Sequence, residues 1–357
     1  MQVRTFASAV TAAVLLSVPA SAGAATKSVL MGTPPSAQKE LQEKFFADIN
    51  AFFPTAVTIR VGDSVRFIPV GFHTVDLPKK GGKPLGLVAP TGAKAAAKDA
   101  AGADFWFNGR DVLGFNPKLQ AGAFGKTLSY DGSKARNSGL PLSRKPKPVT
   151  VRFGKTGAFT YFCNVHPGMK GTVRVVAKNR PVPSAAADRK RVAAQLRKAF
   201  ATAKSLATKA VPEGVVRIGQ TGPGGVERFA FAPDTLTVTT GTTVKFEMPA
   251  KSTEAHTATA GPGDPEKEEK SYLGRLAGSF QSPKFDPIAT YPSEPPPAGV
   301  AALTPGLHGN GFWNSGILDA VTASPLPAGG SVRIGAPGKY VFYCLIHPFM
   351  KATVTAT

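Results

Sequence analysis

In two widely separated stretches of the chain, apolar and polar residues alternate with period two, pause at a glycine-centred turn and resume. The first runs from Phe53 through Val57, Ile59 and Val61 to Gly62, then on through Val65 to Phe67. The second runs from Ala232 through Leu236 and Val238 to Gly241, then through Val244 to Phe246. A period of two buries one face of a β-strand, so each stretch predicts a β-hairpin lying on a core. Each then reaches a histidine followed by threonine, His73-Thr74 and His256-Thr257.

The correspondence extends outward. Lys27 to Pro34 matches Val215 to Thr221 ahead of the alternating stretches, and Phe105-Trp106-Phe107-Asn108-Gly109 is paired with Phe312-Trp313-Asn314-Ser315-Gly316 after them. Each copy ends on an aromatic strand, a short loop and a last strand, Tyr161 to Val173 and Phe342 to Val354. The chain therefore reads as one domain built twice, over 26–178 and 215–357, with an all-β pattern in both. Long irregular insertions, about 78–147 and 261–305, separate each histidine from its closing strand; loops of that length commonly carry function or disorder. Trp106 and Trp313 read as core or loop anchors.

Helical periodicity occurs in two places. Between the copies, residues 179–214 form a basic linker in which Ser184 can cap a helix to Val211. Val192, Leu196, Phe200, Ala203 and Leu206 form its apolar stripe, and Pro212 and Gly214 stop it. Such a stripe needs a cover, which favours packing on a domain over a free spacer. A shorter helix is predicted over Gln38–Asn50, with Leu41, Phe45 and Ile49 on one face.

Length and composition narrow the class. The 357 residues suit two or three domains, and 42% apolar residues suit a globular chain. The 32 prolines and 38 glycines favour β-structure with long connections. Residues 1–25 read as an export signal: Arg4, an apolar run from Ala7 to Val18, and a small-residue cleavage site at Ala20-Ser21-Ala22 or Ala22-Gly23-Ala24. Pro19 cuts the run short of a membrane span. The expected location is periplasmic or extracellular.

The net charge of +21 is uneven. Residues 27–178 carry 23 Lys/Arg against 9 Asp/Glu, the linker 8 against 2, and residues 215–357 carry 11 of each. A basic front half suggests acidic protein partners, or an anionic envelope surface. Export and the lack of any recognition motif argue against nucleic acid.

The candidate chemistry lies in a duplicated set of one remote histidine and Cys-x-x-His-x-x-Met. His73, Cys163, His166 and Met169 make the first; His256, Cys344, His347 and Met350 make the second. A thiolate, two neutral imidazoles and a weak thioether suit copper cycling between Cu(I) and Cu(II). An exported chain with two cysteines would ordinarily suggest a disulfide. Here that bond would join equivalent loops and destroy both sets.

On these residues both halves resemble cupredoxins, the plastocyanin- and amicyanin-like blue copper proteins, and the short Cys-x-x-His-Pro-x-Met loop is most similar to amicyanin. The resemblance covers about half of each repeat. It implies two tandem Greek-key β-sandwich domains joined by the helical linker, each with one type 1 copper, so two per chain. It also implies that His166 and His347 sit at the surface in an apolar patch, as exits for the electron. Val165 and Ile346, where plastocyanin and amicyanin have proline, leave N–H groups free to donate a second hydrogen bond to the thiolate. Such a bond would raise the potential.

Three functions compete on this basis. A mobile electron carrier fits best. Copper storage, delivery or tolerance is the alternative, but only five Met and five His occur. A copper oxidase or nitrite reductase needs further histidines, and only His308 is left over, so no enzyme activity is expected. His308 itself reads as a loop residue or a neighbour of a site.

Overall fold

Strands Ala56–Arg60 and Ser64–Pro69, expected to pair with each other, lie in different sheets of the computed structural model. Ala56–Arg60 runs parallel to Lys170–Val176, whereas Ser64–Pro69 is flanked by Thr26–Met31 and Val149–Phe153. The turn at Gly62 is thus a corner between two facing sheets. The second half repeats the arrangement: Thr235–Val238 pairs with Lys351–Ala356, and Thr243–Glu247 with Val215–Gly222 and Gly329–Ile334. Alternation fixes which face is buried but not which partner is adjacent. Val57 and Ile59 meet Val65 and Phe67 across one core rather than along one sheet.

The structure describes residues 24–120, 122–296, 300–320 and 326–357, so the export signal expected over 1–25 lies outside the described residues except for its last two positions. The chain is mostly β with few helices. Residues 26–176 form two five-stranded sheets around a core that includes Val29, Phe67, Val151, Tyr161 and Val173. Residues 215–356 form a second pair around Ile218, Phe246, Trp313, Phe342 and Val354. No described helix is long and apolar enough to cross a membrane.

One sheet of the carboxy-terminal half borrows a strand from the other half. Ala47–Ile49 pairs antiparallel with Val226–Arg228, at the edge of the strand Val226–Ala232. This corrects the helix expected over 38–50. The helix runs Pro35–Phe45 and stops at Phe46, which takes left-handed backbone (φ 51°) and directs the next residues into the neighbouring sheet. Tertiary pairing outweighs the helical period there.

The linker helix spans Ala185–Ala207, with the Ser184 hydroxyl accepting from the Ala187 N–H. It ends about a turn before the expected stop. Its stripe is covered by both halves. Ala199, Ala203 and Leu206 share a core with Leu41, Ile49 and Phe53 of the first half and Val226 of the second. Lys27 ties the helix start down through a 2.6 Å ion pair to Asp188.

The insertions also meet. Phe105, Phe107 and Val112 from the first pack with Leu273, Leu276 and Ala289 from the second, and with Phe312 just beyond it, around helix Tyr272–Ser279. This revises the internal alignment. Trp313-Asn314 is a core strand paired with Thr259-Ala260, and its counterpart is Arg136-Asn137, paired with Asp76-Leu77. In both, the next residue is a serine whose hydroxyl accepts from the strand ahead: Ser138 from Val75 N–H, Ser315 from Ala258 N–H. Trp106 is instead an insertion anchor, donating to the Pro292 carbonyl at 2.8 Å beneath the Arg110 guanidinium. The two Phe-Trp segments share aromatic composition but not position.

Candidate metal centres

Each candidate cysteine ends a buried strand beside the segment that carries the remote histidine. Gly157–Phe162 leads into Cys163 and meets Asp76 just after His73; Gly338–Tyr343 leads into Cys344 and pairs with Thr259–Ala260. The loop then curls back on itself. Cys163 N–H donates to the Met169 carbonyl and Met169 N–H to the His166 carbonyl, both at 3.0 Å. Cys344, Met350 and His347 repeat the pattern at 3.1 and 2.9 Å.

This folding brings the predicted donors together. His73, Cys163 and His166 form one group and His256, Cys344 and His347 another, each with ligand atoms within 4.8 Å of one another. Cys163 Sγ lies 3.9 Å from His73 Nδ1 and 3.5 Å from His166 Nδ1. Cys344 Sγ lies 3.6 Å from His256 Nδ1 and 3.7 Å from His347 Nδ1. Met169 and Met350 are buried in the same core clusters as their cysteines. Both cysteines are free, so the disulfide alternative falls.

The sulfurs accept from the remote strand rather than from their own loop. Thr74 N–H donates to Cys163 Sγ at 3.5 Å and Thr257 N–H to Cys344 Sγ at 3.4 Å. The threonine hydroxyls in turn accept from Asn164 and Leu345 N–H. The second donation expected from Val165 and Ile346 is not found among the described residues; the loop N–H that bonds back is the methionine's.

Electrostatics prepare the donors. Burial alone would raise the Cys163 thiol, but the His166 and His73 imidazoles outweigh it and hold it well below its ordinary value. Burial is likewise overcome at Cys344, by His256 and His347. A soft anionic sulfur between two imidazoles is a donor set that fits a copper or similar soft metal ion.

Three further groups had no place in the sequence reading. Gly32, just after strand Thr26–Met31, and Gly219, at a bulge within strand Val215–Gly222, take left-handed backbone (φ 102° and 68°) against the remote histidines. A Cβ on Gly32 would stand 2.5 Å from His73 Nε2, and one on Gly219 would stand 2.8 Å from His256 Nε2. The fully buried Glu227 lies 3.8 Å from His256 Nε2, beyond hydrogen-bond reach, while its other oxygen accepts from the Thr221 hydroxyl. Burial would lower His256, yet the Cys344 sulfur and the Glu227 carboxylate push it up to about 10.

The third is Glu254, two residues before His256, which reaches into the other half. Its Oε1 accepts from His166 Nε2 at 3.0 Å and from Asn50 Nδ2 at 2.8 Å; its Oε2 lies 3.8 Å from His347 Nε2. Burial would raise this carboxyl, but His166 above all holds it down at about 2. Burial would also lower His166, which Glu254 and Cys163 push up to about 10. His166 is therefore not at the surface, as the family resemblance implied. It is 6% exposed and faces the second half. His347 is half-buried, beside the 51% exposed Phe349. A cavity of about 440 Å³ is lined by these two imidazoles, Glu254 and the rings of Phe46, Phe72 and Phe349.

No family model and no curated protein matches the chain. Among solved structures it is similar to the reduced Cu(I) form, at pH 4, of a point mutant of amicyanin, at 16% identity over 43% of this chain and 89% of that one, with a TM-score of 0.21. It is also similar to auracyanin A, a "blue" copper protein of Chloroflexus aurantiacus, at 17% identity over 40% and 98%, TM-score 0.24. A mutant fern plastocyanin gives 19% identity over 40% and 99%, TM-score 0.20.

Proposed function

We propose that this chain is an exported electron carrier of two tandem Greek-key cupredoxin domains, residues 26–178 and 215–357, joined by the helical segment 179–214. Each domain would hold one type 1 copper, through His73, Cys163, His166 and Met169 in the first and His256, Cys344, His347 and Met350 in the second. The observation that carries this reading is the twofold convergence of two imidazoles on a buried free thiol, from the same two strand ends each time. Copper there supplies a one-electron couple.

The protein's own part is to hold the donors still. Each set is fixed by a threonine N–H on sulfur and by the closed Cys-to-Met loop, so little has to move when charge changes. A carrier rather than an enzyme is favoured because His308, the one histidine outside the sets, is engaged by Asp99 at 3.1 Å and Glu294 at 3.0 Å. With His166 enclosed, electrons would enter and leave beside His347 and Phe349. An acidic redox protein remains the partner class that the basic front half and linker suit.

The test is copper analysis with visible and EPR spectra of the purified protein. The expected result is two coppers per chain with an intense thiolate-to-copper band, and one copper in each of Cys163→Ser and Cys344→Ser. A single substitution that abolishes all colour, or an intact protein with one copper, would defeat the reading of two independent sets.

A further inference from the structure

Glu254 serves two histidines that belong to different donor sets in different halves of the chain, and it is buried where they approach one another. We infer that Glu254 is a shared positioning residue, whose one carboxylate orients His166 of the first site by a hydrogen bond, acts by its charge on His347 of the second, and so couples the two sites. The inference rests on the copper reading above and adds to it.

The carboxylate cannot be attributed to either half alone. Asn50, from the first half, donates to Oε1 and also to the Thr253 hydroxyl, clamping the Glu254 loop across the boundary. Asn50 N–H is itself fixed by the Gly225 carbonyl at 2.7 Å, in the turn before the strand that pairs with Ala47–Ile49. The borrowed strand and the shared carboxylate are thus one piece of architecture. Each imidazole presents Nδ1 to its sulfur and turns Nε2 toward Glu254. A carboxylate behind a ligand imidazole fixes the ring's orientation and tautomer and makes it a stronger donor. It also favours the more positive, oxidised state of whatever metal the ring binds. Here one such group holds His166 by a hydrogen bond and faces His347 at 3.8 Å, where its charge alone acts, so a change at either site is felt at the other through it. Glu227 provides an internal comparison, because it faces only His256.

The experiment is a spectroelectrochemical titration of the full-length copper protein, comparing Glu254→Gln with Glu227→Gln. Glutamine keeps the size and removes the charge. The expected result is that both reduction midpoints rise in Glu254→Gln, while Glu227→Gln moves only the second site, identified in a Cys163→Ser background. If Glu254→Gln moves one midpoint or neither with two coppers still bound, the shared role is wrong. Loss of copper from one site alone would overturn it equally. Imidazole proton–nitrogen NMR without added metal gives a second readout that does not depend on the copper reading. His166 and His347 signals should both move in Glu254→Gln, and movement of one alone defeats the inference. An intact protein that takes up no copper would instead defeat the copper reading, leaving the NMR result to decide the role of Glu254.

Discussion

Replacing Gly32 with alanine should remove copper from the first site and leave the second intact; Gly219→Ala should do the converse. Gly32 follows the first strand of its half and Gly219 sits at a bulge within Val215–Gly222, and each passes directly behind the remote imidazole. In Gly32→Ala the new methyl would overlap His73 Nε2 and press on the Val70 carbonyl, which is backbone and cannot swing away. In Gly219→Ala it would meet both His256 Nε2 and Glu227 Oε1, at 2.8 and 2.7 Å. The left-handed backbone adds a cost of its own for any residue with a Cβ, on the order of 1–3 kcal/mol. The simplest relief is displacement of the imidazole, and a ligand moved by an ångström no longer closes a three-donor site. Copper content should fall from two to about one per chain, with loss of the corresponding part of the visible band. Either variant retaining two coppers with an unaltered spectrum would show that these glycines do not set the histidine positions.

Those glycines illustrate what the sequence could and could not disclose. They stood in plain view within matching segments, Met31-Gly32-Thr33 and Ile218-Gly219-Gln220, but a glycine's use depends on what lies behind it. The donors themselves were legible, because Cys-x-x-His-x-x-Met is local and its duplication fixes the remote histidine by position. Burial faces were legible too: the alternating residues Val57, Ile59, Val65 and Phe67 are all core. Sheet partners were not, since period two is the same for a hairpin and for a corner between sheets. Neither was anything that crosses between the halves. Ala47–Ile49 carries helical periodicity and becomes a strand only because Val226–Arg228 lies beside it. Glu254 has Gly71 at the matching place in the first copy, so comparing the copies hides it. The insertions looked structureless because their apolar residues are covered by each other, as Phe107 is by Tyr291, or by the segment just beyond, as Phe105 is by Phe312.

Stripping the copper with a chelator should lower the thermal midpoint of the whole molecule by roughly 5 °C for each site emptied. A ligand that binds only the folded state stabilises it by about 4 kcal/mol when its free concentration exceeds Kd by about a thousandfold. At about 2.1 cal/mol/K of unfolding entropy per residue, a single cooperative unit of this length moves only about 1–2 °C for each kcal/mol. The donors make the linkage strict, because His73 and Cys163 are 90 residues apart, and His256 and Cys344 are 88 apart. An unfolded chain cannot hold them together, so nearly all of the binding free energy belongs to the folded state. The two halves should also respond together. They share the linker-helix core around Ala203 and Leu206, the Ala47–Ile49 strand and the Glu254 contacts. Calorimetry of the loaded protein should therefore give one main transition, and Cys344→Ser should move that whole transition down rather than split off a separate early one. Complete removal of copper with an unchanged midpoint would mean that the donor sets contribute nothing to holding the fold. A clean division into two independent transitions in the loaded protein would mean that the shared core and strand do not fasten the halves.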